Sequence, residues 1–291
     1  TNSGTVTGAV TLFEGTLDNE TGSDLQGTTA VNSGGTLTHK TGATISGQTN
    51  LAGGIINADG GAFTNELIAT SGTLNLNANT AADITNNGLA TLSIGSAIDV
   101  TGDFTQQSGA TTNAGSIIGE LDVTGGAFNA NANSRISGTV GVSGGTLTST
   151  GGIFATGITT STVAVDGGTF AVAASTPGMT TAAVTVDAGS LTIAEDETLD
   201  GTVALLAGSG GTVVNEGIIT QTVVIDDGTF DNEATGEITG LTTMNAGVLN
   251  ADGGAFNGGL VITGGTVNIT KDTVAAITNN GHAGLSIGSA I

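Results

Sequence analysis

The chain has 291 residues, of which 51 are Gly, one is Pro (Pro177) and none is Cys, Trp or Tyr, with Phe at 8 as the only aromatic. A disulfide scaffold, a thiol-ligated metal and a core built on bulky rings are therefore excluded. Asp plus Glu total 25 against three strong cations, Lys40, Arg135 and Lys271, and the resulting formal net charge of -22 argues against nucleic acid and anionic membrane surfaces as partners.

Apolar residues nevertheless reach 37%, more than a solvated, disordered chain needs. No apolar run approaches the ~20 residues of a membrane-spanning helix, so this segment is not expected to insert into a membrane and its apolar content has to be buried within the protein. Residue 1 opens neither a basic n-region nor an apolar h-region, so the chain reads as mature or as a piece of something longer.

In chain order, a short motif recurs in which Gly, then Thr, Ala or Ser, precedes an apolar anchor. It begins at Gly15-Thr16-Leu17, with a second apolar landmark at Leu25-Gln26-Gly27, and returns at Gly35-Thr36-Leu37 with Ile45-Ser46-Gly47 behind it. Ile56 continues the series in looser form, Gly72-Thr73-Leu74 restores it, and Leu92 and Thr111 are assigned by spacing alone. Val123 leads into Gly126-Ala127-Phe128, Ile136-Ser137-Gly138 follows, and Gly145-Thr146-Leu147 comes next. Val163-Ala164-Val165 leads into Gly168-Thr169-Phe170, and Val184-Thr185-Val186 into Gly189-Ser190-Leu191, with Leu199-Asp200-Gly201 behind. Gly211-Thr212-Val213, Gly228-Thr229-Phe230, Leu249 and Gly265-Thr266-Val267 complete the anchors; Val223-Val224-Ile225 and Val261-Ile262 precede two of them, and Ile238-Thr239-Gly240 follows one.

Each period of about 19 residues thus offers three short apolar segments of alternating character, separated by Gly, Asn and Asp. That is strand chemistry with turn punctuation and not the 3.6 periodicity of a helix. The expected fold is all-β: a single-stranded parallel β-helix, or β-solenoid, of about 14 coils with three short strands per coil. One coil has no inside of its own, so it holds its shape only when stacked on neighbours, with the anchors forming internal ladders. Gly before each anchor is expected to supply a positive φ or a tight backbone bend at a corner. Asn57, Asn75, Asn129, Asn250 and Asn268, with Thr38, Thr148 and Thr192, directly follow anchors and are expected to hydrogen-bond from coil to coil in a structural role.

A longer period encloses the short one. Residues 57–98 recur at 250–291, with 27 of 42 positions identical at an offset of 193, and Thr44-Ile45-Ser46-Gly47 keeps register with Glu237-Ile238-Thr239-Gly240. Residues 1–291 are therefore read as one continuous solenoid, a fragment of a longer repeat protein.

These runs of Gly, Gly or Ser, Thr, an apolar anchor, then Thr or Asn, in an acidic chain without Cys, resemble the passenger domains of autotransporter and haemagglutinin-like bacterial surface proteins. The likeness covers nearly the whole chain. It implies a right-handed parallel β-helix displayed outside a Gram-negative cell, commonly an adhesin; the family's N-terminal signal and C-terminal membrane barrel have no counterpart in these 291 residues.

Chemistry-bearing residues are sparse. Arg135 is the only arginine, and its neighbours Ser134 and Ile136 bring no base, so lyase chemistry lacks its cationic partner and the chain is not expected to be an enzyme. Asp226-Asp227, Glu195-Asp196-Glu197, Asp59 and Asp252 offer oxygen to a hard cation such as Ca²⁺, but none matches a calcium-binding loop, and solvated turn positions are the expected reading. His39 and His282 have no Cys, His or triad partner nearby in sequence and are expected in surface or turn positions. Thr36/Thr38 and Thr146/Thr148 have the spacing of flat ice-binding arrays, a pattern that most coils break. No catalytic, cofactor-binding or metal-binding residue is assigned. The expected role is an extracellular, cell-surface structural or adhesive solenoid whose partner is a surface receptor or another copy of itself; an alternative is a self-assembling filament or matrix subunit, and a third a polysaccharide-degrading β-helix.

Overall fold

The computed structural model describes residues 1–132, 134–151, 153–156, 159–160, 162–173, 179–208, 210–271, 273, 275–281 and 284–288. Pro177, His282 and positions 283 and 289–291 of the second repeat copy lie outside the described residues. Among those described there is no helix, and the strands stack in parallel about 19 residues apart as a β-solenoid of about 14 turns. The chain divides into two compact units, Thr1–Thr139 and Val140–Ile291.

In the first unit a representative turn is an anchor strand Gly35–Lys40, a second strand Thr44–Ile45, and a third segment that opens Thr49–Asp59 and runs on into the next anchor. Side chains alternate between inside and outside along each of them, as a pleated backbone requires, with one break in Thr49–Asp59, where a bulge at Ala52 and Gly53 shifts the inward positions from Leu51 to Gly54 and Ile56. The anchors stack in register through Leu17, Leu37, Ile56, Leu74, Leu92, Thr111 and Phe128. A second inner column on the third strands runs Val31, Leu51, Ala69, Asn86, Gln106 and Val123. Nearly every apolar member of these columns is completely buried.

The second unit repeats the scheme. Its anchors stack through Leu147, Phe170, Leu191, Val213, Phe230, Leu249, Val267 and Leu285. Its third strands carry paired inner columns, Val163, Val184, Val203 and Val223 beside Val165, Val186, Leu205 and Ile225. Further along the third-strand column, Leu260 and Ile262 point inward and Val261 outward. Between Leu147 and Phe170 the chain makes an extra antiparallel pairing, Ala155 with Thr160, outside the stacked register.

Positive φ does mark the anchor corners: Gly15, Gly72, Gly126, Gly145, Gly189, Gly228 and Gly265 have φ between 67° and 95°. At two corners it has moved one residue upstream, to Gly34 and Gly167, and Gly211 is not among the positive-φ residues. There the glycine answers crowding instead, because a Cβ on Gly168 or Gly211 would stand 2.7 Å from Val142 Cγ1 or 2.6 Å from Val186 Cγ1.

Three features depart from the sequence reading. The second-strand column of the first unit runs Val6, Leu25, Ile45, Phe63, then resumes with a single bridge at Thr80 before Val100, Ile117 and Ile136. Residues 77–83 contain no large apolar side chain, and Thr80 fills the slot. Glu197, expected in a solvated turn, is 3% exposed, because it occupies the inward corner position that Gly217 and Gly236 take in the next two turns. His39, expected at the surface, is fully buried: it lies two residues after its anchor, and alternation turns that position to the inside.

Candidate interaction surface

The outer side of the anchor strands carries two rows of side chains, one just before and one just after each anchor. The rows follow the parallel register, so equivalent residues of successive turns are nearest neighbours. Asn75 Nδ2 donates to Asn57 Oδ1 at 2.9 Å, and Asn268 Nδ2 donates to Asn250 Oδ1 at 2.9 Å. Asn250 Nδ2 in turn donates to Asp231 Oδ1 at 2.6 Å. One step outward, Asn77 Nδ2 donates to Asp59 Oδ1 at 2.7 Å, and Thr270 Oγ1 to Asp252 Oδ1 at 2.6 Å. These two sets are 193 residues apart, so both copies of the long repeat build the same outer network.

In the second unit this face opens into a groove of about 520 Å³, lined by Asp231, Glu233, Asn250, Asp252, Thr270 and Ser286 among others. Asp231, Asn250, Asp252 and Thr270 among them are hydrogen-bonded from turn to turn. Lys271 Nζ lies 3.0 Å from Asp252 Oδ2, and the Thr270 hydroxyl together with that ammonium holds the Asp252 carboxyl below the usual carboxylate range.

A separate acidic ridge, Asp83, Asp103 and Glu120, runs along the first unit where three successive turns enter their third strands. Asp83 Oδ1 accepts from Asp103 N at 3.0 Å, and Asp103 Oδ1 accepts from Glu120 N at 2.9 Å, so each carboxylate caps the next turn. Beside them, partial burial and the charges of Glu120 and Asp103 push the Asp122 carboxyl up.

The residues singled out in the sequence are scattered over these surfaces. Asp226 accepts from Asn245 Nδ2 at 2.7 Å, and Asp227 accepts from Gly228 N at 2.8 Å. Arg135 lies on the outer side of a second strand, in register with Ser116. Among the described residues no three His, Cys, Asp or Glu side chains converge as a metal site would require. Thr36 and Thr38 are followed by Ile55 and Asn57 one turn on, so the hydroxyl rows are interrupted as the sequence indicates.

Sequence reasoning missed the buried polar groups. Asn86, Gln106 and Thr111 form a network in the first unit's core: Thr111 Oγ1 donates to Gln106 Oε1 at 2.6 Å, and Asn86 Nδ2 donates to both, at 3.1 and 3.2 Å. The one available signal was Thr111 at an anchor position whose spacing demanded an apolar residue. Compared with protein-family models, with curated protein sequences and with solved structures, the chain has no significant match in any of the three.

Proposed function

We propose that the chain is a segment of an extracellular, cell-surface repeat protein, a non-catalytic β-solenoid used as a structural stalk or adhesive passenger. The observation that carries this reading is the repetition of one outer amide and carboxylate network, Asn57–Asn75 with Asp59–Asn77 and Asn250–Asn268 with Asp252–Thr270, in both copies of the long repeat. Groups that would be free to act on a ligand are used to tie one turn to the next, so what the repeat multiplies is length and stiffness. The acidic exterior keeps such a surface soluble.

A second reading, lateral self-assembly into a filament or matrix, is favoured by one face of the second unit. The outward row of its third strands is Ala164, Thr185, Ala204, Val224, Thr243 and Val261, a charge-free column in a strongly acidic chain. Such a neutral, flat face suits packing against a like face.

Protease shaving of intact source cells tests the first reading: peptides of this chain released without lysis support it, and recovery only from lysate overturns it. Electron microscopy of the purified chain separates the two readings. Uniform filaments favour assembly, whereas monomers that coat a host or abiotic surface favour adhesion. Release of sugars from a panel of polysaccharides would overturn both.

A further inference from the structure

The buried imidazole of His39 has a counterpart in the same chain. Offset by the long repeat, its position is that of Asn232, which is also fully buried. Asn232 Oδ1 accepts from Asn215 Nδ2 of the preceding turn at 2.8 Å, and Asn232 Nδ2 donates to Ala255 O at 3.4 Å. His39 makes the same two contacts: Nδ1 with Asn19 Nδ2 of the preceding turn at 3.2 Å, and Nε2 with Ala62 O at 3.1 Å. Ala62 and Ala255 are themselves repeat equivalents. Each side chain thus bridges three successive turns by accepting from one and donating to the other.

The partners fix the ring's proton. Asn19 Nδ2 also donates to Thr44 O at 3.2 Å, while its Oδ1 accepts from Asn2 Nδ2 at 2.8 Å and from Ser23 Oγ at 2.7 Å. With the amide held in that orientation, Nδ1 of His39 must accept, and Nε2 carries the hydrogen that Ala62 O receives. A second proton would sit on Nδ1 and face the Asn19 amino group. Turning the amide over to receive it would set Oδ1 against the Thr44 carbonyl and Nδ2 against Asn2 Nδ2.

We propose that His39 makes the contact between these turns a proton-sensitive seam, closed while the imidazole is neutral and opened when the ring takes up a proton. Among the described residues no charged group faces the ring to offset that proton. Asp18 and Glu20 on the preceding turn, Asp24 on the adjoining second strand, Lys40 beside it and Asp59 on the following strand all lie on the outer side of the pleat, with Lys40 paired to Glu20 at 2.7 Å. Thr44–Ile45 and Ala62–Phe63 bring no titratable side chain, and Phe63 meets the ring edge-on at 4.7 Å. Burial accordingly lowers the ring's pKa from its ordinary 6.5, against a smaller raising effect of the Ala62 carbonyl. The folded form therefore prefers the neutral ring, and stability is complete above the unfolded-state value and is lost as pH falls below it. An opened seam leaves strand edges unpaired and ready to take up another strand.

The repeat supplies the control, His39→Asn, which restores the Asn232 arrangement without a titratable group. In the full chain, urea unfolding of the first unit is followed at pH 7.5 and 5.5. The unfolding constant of the wild type is expected to rise about tenfold relative to that of H39N, the effect of one proton taken up only by the open form. Equal pH dependence in the two proteins overturns the proposal. The ring titration of wild-type His39, followed by NMR and assigned by the signal that H39N lacks, decides independently of whether the variant folds. A midpoint below the ordinary histidine value supports the seam, and a midpoint at or above it refutes it.

Discussion

A single Cβ distinguishes glycines that hold a corner from glycines that merely fill one. On Gly61 it would stand 2.3 Å from His39 Nε2, and on Gly254 2.3 Å from Asn232 Nδ2, so each buried corner side chain is seated in space that the next turn leaves empty. Neither position has a positive φ, and the constraint is therefore one of volume alone. Gly61→Ala is expected to destabilise the first unit by about 1–3 kcal/mol through overpacking, whereas Gly8→Ala, which meets nothing within 4 Å, should leave it unchanged; urea unfolding of both variants checks this. The inner columns also contain a hydroxyl they do not need. Thr49 is buried between Thr29 and Leu67 and its Oγ1 has no hydrogen-bond partner, so Thr49→Val is expected to stabilise by about 1 kcal/mol, read as a higher urea midpoint.

At the level of strands, the outer amide rows act as rivets between turns. Asn250 is the middle of three linked side chains, and Asn250→Ala is expected to cost the second unit about 1 kcal/mol by removing two partly exposed hydrogen bonds, measured by chemical denaturation against wild type. The strand order was legible beforehand because anchors, landmarks and spacers repeat often enough to reveal a register; Leu37 pairs with Ile56, and even Thr111 occupies the rung that spacing assigned to it. What escaped was the lining. Alternation alone places His39, Asn19 and Asn215 inside, but a polar residue type argues for the outside, and only contacts between turns decide the contest in favour of burial. Glu197 departs from its expected place for the same reason: its two acidic neighbours read as a solvated turn, while the corner that receives it is defined by Gly217 one turn away. The outer amide rows were legible because they follow the anchors directly, and the groove beside them was not, since its walls come from residues three turns apart.

Across the whole chain, charge is the dominant long-range term. With 25 acidic residues and three strong cations, stacking brings like charges of successive turns together, as along Asp83, Asp103 and Glu120. The ion pairs Lys40–Glu20 and Lys271–Asp252 are solvent-accessible, so added salt screens them as it screens the repulsion. Raising ionic strength from about 0.01 to 0.15 M shortens the screening length from about 30 to 8 Å and weakens repulsion more than attraction. The thermal midpoint of unfolding should therefore climb with added NaCl; a midpoint that falls would show that the ion pairs dominate. Parallel pairing of each strand with its equivalent one turn away has a consequence for how such a molecule comes into being. A completed turn presents an exposed template that already has the shape the next stretch of chain must adopt, so within each unit growth resembles the layering of a crystal. The first layer is slow to appear, and each later one copies the surface on which it lands.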